Sequence, residues 1–190
     1  MIINNEKERG KMKKYLGIMI GVMSLIMAIS APAFAASTAN FNVTISIAAA
    51  ADITVVTGGP IDFGVKSTNS SAISTSAIVV KNTGSGSAQT YSLNLTDPLI
   101  WKAVTAAPGF DQYRLSAAFD GVGTGITWGV NNALTGISVA ASATQFAGNQ
   151  TGVAVPYNDQ RSIWFKIETP NGTSSPTQKT IAVTLSATVS

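Results

Sequence analysis

The sharpest pattern in the chain lies at its end, where Ile181, Val183, Leu185, Ala187 and Val189 alternate with Ala182, Thr184, Ser186 and Thr188. A period of two puts alternate side chains on opposite faces of an extended backbone, so residues 180–189 are predicted as a strand with one apolar face. The same rule predicts a strand at 40–47, with Phe41, Val43, Ile45 and Ile47 on one face and Asn42, Thr44 and Ser46 on the other. It also predicts strands at 89–96 (Tyr91, Leu93 and Leu95 inward), at 112–120 (Tyr113, Leu115, Ala117 and Phe119 inward) and at 161–168 (Ile163, Phe165 and Ile167 against Trp164 and Lys166). Shorter β-rich runs stand at 52–57, 61–64, 77–82 and 152–156, between breakers such as Gly58-Gly59-Pro60, Asp97-Pro98 and Pro170-Asn171-Gly172. The Gly/Ser turn at 83–87 predicts a hairpin joining 77–82 to 89–96, and the Ser-, Thr- and Asn-rich stretch 66–76 reads as a surface loop. Residues 131–148 are ambiguous, with 137–140 suited to a short strand and 140–146 to one or two helical turns.

About 8 to 10 short strands, frequent turns and no long amphipathic helix predict an all-β fold: a single antiparallel β-sandwich. A different pattern precedes it. Lys13 and Lys14 introduce an uncharged apolar run at 16–29, followed by Ala33-Phe34-Ala35. These are the three parts of a secretory signal peptide, with Ala33 and Ala35 at the positions a signal peptidase reads and Ala36 as the first residue after cleavage. The division is then 1–35, an N-terminal extension with a signal helix, and 36–190, the exported sandwich. Met12, followed at once by Lys-Lys, competes with Met1 as the start. An uncleaved anchor of about 20 residues is the competing reading on length, and Pro32 with the small residues around the site favours cleavage. The expected location is outside the cell or on its surface, with the membrane met only through the transient leader.

Removing the leader changes the electrostatics. The whole chain has a formal net charge of +3, but residues 36–190 hold seven basic and seven acidic residues. No basic patch is left to neutralise phosphates, so nucleic acid is not an expected partner, and a neutral surface permits close self-association.

Chemistry is constrained next. The chain has no His and no Cys, which excludes Ser-His-Asp and Cys-His nucleophiles, the common zinc and copper sites, and any disulfide. No cofactor, metal site or catalytic residue is expected. The acids Asp52, Asp62, Asp97, Asp111, Asp120, Asp159 and Glu168 are not paired locally and fall mostly at strand ends, where Asp usually bonds its own backbone. Asp97, Asp111, Asn131, Asn132, Asn158 and Asp159 recur in loops as calcium ligands do, but without an Asp-x-Asp-x-Asp-Gly spacing they read as solvated turns. Gly121, Gly123 and Gly125 lack the following helix that a phosphate-binding loop requires, and read as a hairpin loop. Trp101, Trp128 and Trp164 are the candidate ligand platform for sugar rings, against the reading that Trp164 packs beneath a loop. Five Asn-x-Ser/Thr sequences, from Asn42, Asn69, Asn94, Asn149 and Asn171, are close to chance in so Ser/Thr-rich a chain.

Ile61-Asp62-Phe63-Gly64, then the run ending Lys81-Asn82-Thr83-Gly84, then Tyr91-Ser92-Leu93-Asn94-Leu95, resembles the layout of secreted bacterial immunoglobulin-like sandwich domains. With the leader and the closing alternating strand, the whole chain looks like the small all-β proteins that bacteria export. A fainter similarity runs to spore-coat-U and chaperone-usher pilin domains, which share an early Phe-Gly and a closing alternating strand, but usually carry a disulfide that this chain cannot form. The resemblance implies a fold and little about activity.

The function expected from these features is that of an exported, non-enzymatic structural or surface protein, self-associating or a filament- or coat-type subunit, with itself or other envelope proteins as partners. Phe41, Val43, Ile45 and Ile47 mark the candidate assembly strand, since an alternating strand near a free terminus can complete a neighbour's sheet edge. The plainer alternative pairs that strand within its own domain. A carbohydrate-binding module is the alternative function, and a carboxylate-dependent hydrolase a remote one.

Overall fold

The structure, a computed structural model, describes residues 50–190. The expected leader, its expected cleavage residues Ala33, Ala35 and Ala36, and the strand expected at 40–47 lie outside the described residues. Nine strands follow in chain order: β1 (Ile53–Thr57), β2 (Ser71–Ile73), β3 (Ile78–Asn82), β4 (Gln89–Thr96), β5 (Lys102–Ala103), β6 (Gln112–Phe119), β7 (Val139–Ala140), β8 (Gln160–Glu168) and β9 (Ala182–Val189). They build a β-sandwich. The larger sheet has the order β1-β3-β8-β6-β5, with β2 also paired to β8, and the smaller has the order β7-β4-β9. All pairings are antiparallel except the two-residue contact of β5 with β6. Among the described residues no helix is long and apolar enough to cross a membrane.

The long alternating runs became strands because their apolar rows meet between the sheets. Tyr91, Leu93 and Leu95 of β4 face Tyr113, Leu115, Ala117 and Phe119 of β6 and Ile163, Phe165 and Ile167 of β8, all buried in one core cluster. The rings of Tyr91 and Phe119 lie 6.0 Å apart at the centre of this layer, a separation at which aromatic pairs attract beyond the area they bury.

Several shorter segments differ from expectation. The predicted hairpin of 77–82 with 89–96 does not form, because β3 and β4 lie in different sheets. Asn82 explains the crossing: fully buried, it donates from Nδ2 to the carbonyls of Ser87 and Val155 while its Oδ1 accepts from the Gly84 N–H. The turn is thereby folded from one layer to the other. Residues 61–64 are not a strand, because the Asp62 Oδ1 accepts from the Gly64 N–H and closes an Asx turn with Gly64 at φ 64. The loop expected at 66–76 contains β2, which pairs with β8, and Ser74 accepts from the Phe165 N–H through its Oγ. Residues 140–146 form no helical turn. A 3-10 turn stands instead at Val130–Asn132, and β7 occupies part of the predicted 137–140. Residues 152–156 contribute a single bridge, Val155 to Gln89, with Ala154 in the left-handed region. The glycine loop at 121–125 leads to that 3-10 turn and not into a paired strand.

Candidate functional site

The chain's most regular strand is also its least covered. β9 pairs with β4 on one side, from Gln89 opposite Val189 to Thr96 opposite Ala182. The odd-numbered residues of β4 use their backbone groups on the other side: the Tyr91 N–H donates to the Gly152 carbonyl, the Leu95 N–H to that of Thr135, and the Tyr91 carbonyl accepts from Ala141. In an antiparallel ladder bonded pairs alternate. The even pairs Thr90–Thr188, Ser92–Ser186 and Asn94–Thr184 therefore hold β9 to β4. It follows that Val183, Leu185, Ala187 and Val189 turn their N–H and C=O groups outward, along an edge that no other described strand joins.

The same four residues carry the inward apolar row of β9. Leu185 and Ala187 pack only partly on the core, while Val183 is 36% and Val189 40% exposed. The facing sheet explains why. In β1, Ile53 lies opposite Asn82 and Val55 opposite Val80, so Val55 shares the inner face with a neighbour that is 1% exposed, yet Val55 itself is 58% exposed. Among the described residues β9 is an end strand of the smaller sheet and β1 one of the larger. Ala51, Asp52 and Ile53 form one wall of the resulting slot and Leu185 and Ala187 the other.

No family model and no curated protein sequence matches this chain. The geometry must carry the functional reading by itself.

The three tryptophans have separate environments. Trp164 projects from the outer face of β8, and a Cβ built on Gly123 would lie 2.5 Å from its ring, so the glycine loop covers the indole face. Trp101 packs beside Tyr113, with ring centres 6.2 Å apart, donates from Nε1 to Thr173 Oγ1 at 2.9 Å and carries the Lys179 ammonium over its face at 5.8 Å. Trp128 is half-buried in the segment before the 3-10 turn. Near it an open depression is lined by Thr127, Asn131, Thr144 and Asn149 together with the buried Asn132 and Asp120.

Each acid has a local structural partner. Asp52 accepts from Thr83 and Asp62 from Gly64, while Asp97 accepts from the Tyr113 hydroxyl and the Ala103 N–H. Burial, with that Asp97 contact added, holds the Tyr113 phenol protonated far above its ordinary range. Asp111 accepts from Thr173 and Ser174, and the Ser174 contact chiefly draws its carboxyl below the usual value. Burial pushes the Asp120 carboxyl up, but the N–H groups of Asn149, Val122 and Gly123 outweigh it and hold the group below its usual range. Glu168 is likewise raised by burial and lowered further by Arg114 and Lys166, with a net downward shift. Asp159 meets Arg161 at 3.5 Å. Among the described residues no group of three or more acids gathers as metal ligands would.

Sequence reasoning placed the apolar row of β9 correctly and missed its exposure. The uncovered Val55, opposite a buried Val80, is the signal that required the fold.

Proposed function

We propose that this chain is an exported structural protein that self-associates by strand addition at a sheet edge. The observation that carries the reading is the β9 edge: eight residues without a charge, a proline or a bulge, with an apolar inner row left partly open. Sheet proteins that stay apart guard such edges with lysines, prolines or irregular strands. The neutral composition expected after leader removal adds no net repulsion between copies. Residues 40–47, with Phe41, Val43, Ile45 and Ile47 on one face, are the strand expected to be lent.

The test is expression of the full chain with its leader, mass determination of the exported product, and light scattering on a sizing column over a wide concentration range. The expected product begins at Ala36 and forms concentration-dependent multimers that a deletion of 40–47 abolishes. An exported product that stays monomeric at high concentration refutes the reading.

A further inference from the structure

We propose that the slot along β9 is filled by residues 40–47 of a neighbouring copy, which enter as one lone strand, extend the smaller sheet and cover Ile53 and Val55 of the facing β1. This inference rests on the self-association reading and names its acceptor.

Three observations select this occupant. The first is shape. The slot lies where the described strands of both sheets end, with β1 on one side of it and β9 on the other, so one extended strand laid beside β9 continues the smaller sheet there. The second is pattern. β9 offers outward backbone groups from Val183, Leu185, Ala187 and Val189, and these same residues present the apolar face. A strand pairing there must be apolar at every second residue on the inner side and polar on the outer side. Residues 40–47 meet this with Phe41, Val43, Ile45 and Ile47 inward and Asn42, Thr44 and Ser46 outward, over the same eight-residue length as β9. The third is charge. Residues 36–51 contain no charged residue, and neither do residues 180–190, so neither the entering strand nor β9 adds an ion beside Asp52, the one acid that lines the slot.

The absence of Cys from the chain makes the contact directly testable. Residues opposite each other on neighbouring strands have Cα atoms about 4.5–5.5 Å apart, within the span a disulfide accepts. Ser186 is exposed on the outer face of β9, so S186C is mixed with a mass-tagged second copy carrying T44C, and in parallel with N42C or S46C, which cover shifts that keep the same face. Under oxidation the expected product is the mixed disulfide between the two copies, strongest for one of the three positions. A187P supplies the block: the Ala187 N–H points away from β4, so proline there removes a donor the slot uses while sparing the internal ladder. It is expected to abolish both the mixed disulfide and the multimer with no change in the far-ultraviolet circular dichroism. V183K, which puts an ammonium into the slot, is a second block should A187P perturb the fold.

Multimers that persist without any mixed disulfide overturn this acceptor and leave the self-association reading standing. An S186C product cross-linked only to another S186C shows a second copy's edge in the slot and also overturns it. A T44C/S186C double variant that closes within a single monomeric chain refutes both.

Discussion

Gly123 offers a direct test of the architecture around Trp164. Its φ is +74, and a Cβ there would stand 2.5 Å from two atoms of the indole ring. The loop cannot move aside freely, because the Gly123 N–H donates to the buried Asp120 at 2.8 Å and Asp120 also accepts from Val122 and Asn149. Gly123→Ala should therefore incur two penalties. A left-handed alanine costs about 1–2 kcal/mol, and overpacking against a ring that cannot retreat costs about 1–3 kcal/mol more. Gly125 is the matched control, with φ +77 and nothing near its would-be Cβ, so Gly125→Ala should show the first penalty alone. At about 2–4 °C per kcal/mol for a domain of this size, Gly123→Ala should melt about 4–20 °C below the parent and clearly below Gly125→Ala. Thermal unfolding followed by circular dichroism gives both numbers. Repeating the pair in a Trp164→Leu background should shrink the difference between them. Equal melting temperatures for the two alanine variants would refute the packing of this loop on Trp164.

Three further outcomes follow from the buried polar groups. Gln89 is fully buried and neither its Nε2 nor its Oε1 has a protein partner, so Gln89→Met, which keeps the length and removes the polar atoms, should leave stability unchanged or raise it by about 1–3 kcal/mol; a loss above 1 kcal/mol, on the scale of one net hydrogen bond, in denaturant titration would contradict this. Asp120 has a depressed carboxyl in the fold, so its stabilisation is complete above the unfolded value of about 3.9 and disappears as pH falls through the lower folded value. Stability measured from pH 7 down to pH 2 should drop across this acid window. Asp120→Asn should lose about 1–3 kcal/mol at neutral pH, because its amide nitrogen cannot accept from one of the three donors, and should show a shallower acid decline; an unchanged acid profile would refute the assignment.

The long strands were legible because their side chains alternate over eight or nine residues and both sheets bury the apolar set, as Tyr91, Leu115 and Phe165 show. The short pieces were not, because side-chain hydrogen bonds decided them. One buried amide, Asn82, moved the chain between layers where a Gly/Ser turn suggested a hairpin. One carboxylate, Asp62, converted an apolar pair into a turn whose Ile61 and Phe63 pack at the core's margin. β2 was hidden because its pairing depends on β8, almost a hundred residues away, and on the hydroxyls of Ser70 and Thr169. These bonds span anything from two residues, as from Asp62 to Gly64, to about a hundred, as from Ser70 to Thr169, and none of them repeats along the chain to leave a periodic trace.

β9 reverses the usual inference from alternation. A strand that alternates cleanly is normally taken as half-buried, since its apolar row would otherwise be a liability. Here the row is clean and the burial is not, whereas β4, bonded to it over eight residues, is covered almost completely on its inner face. The two differ in position and not in pattern: among the described residues β4 has a strand or loop on both sides, and β9 has one on a single side. The exposed inner Val55, two residues along β1 from the slot residue Ile53, shows that the end strand of the larger sheet is also incompletely covered. Under the self-association reading, two facing edges left half-covered among the described residues, with no charge and no proline in β9, require a covering strand. That requirement ties the self-association reading to a location, and it makes β9 the place where a single proline or lysine should separate assembly from folding.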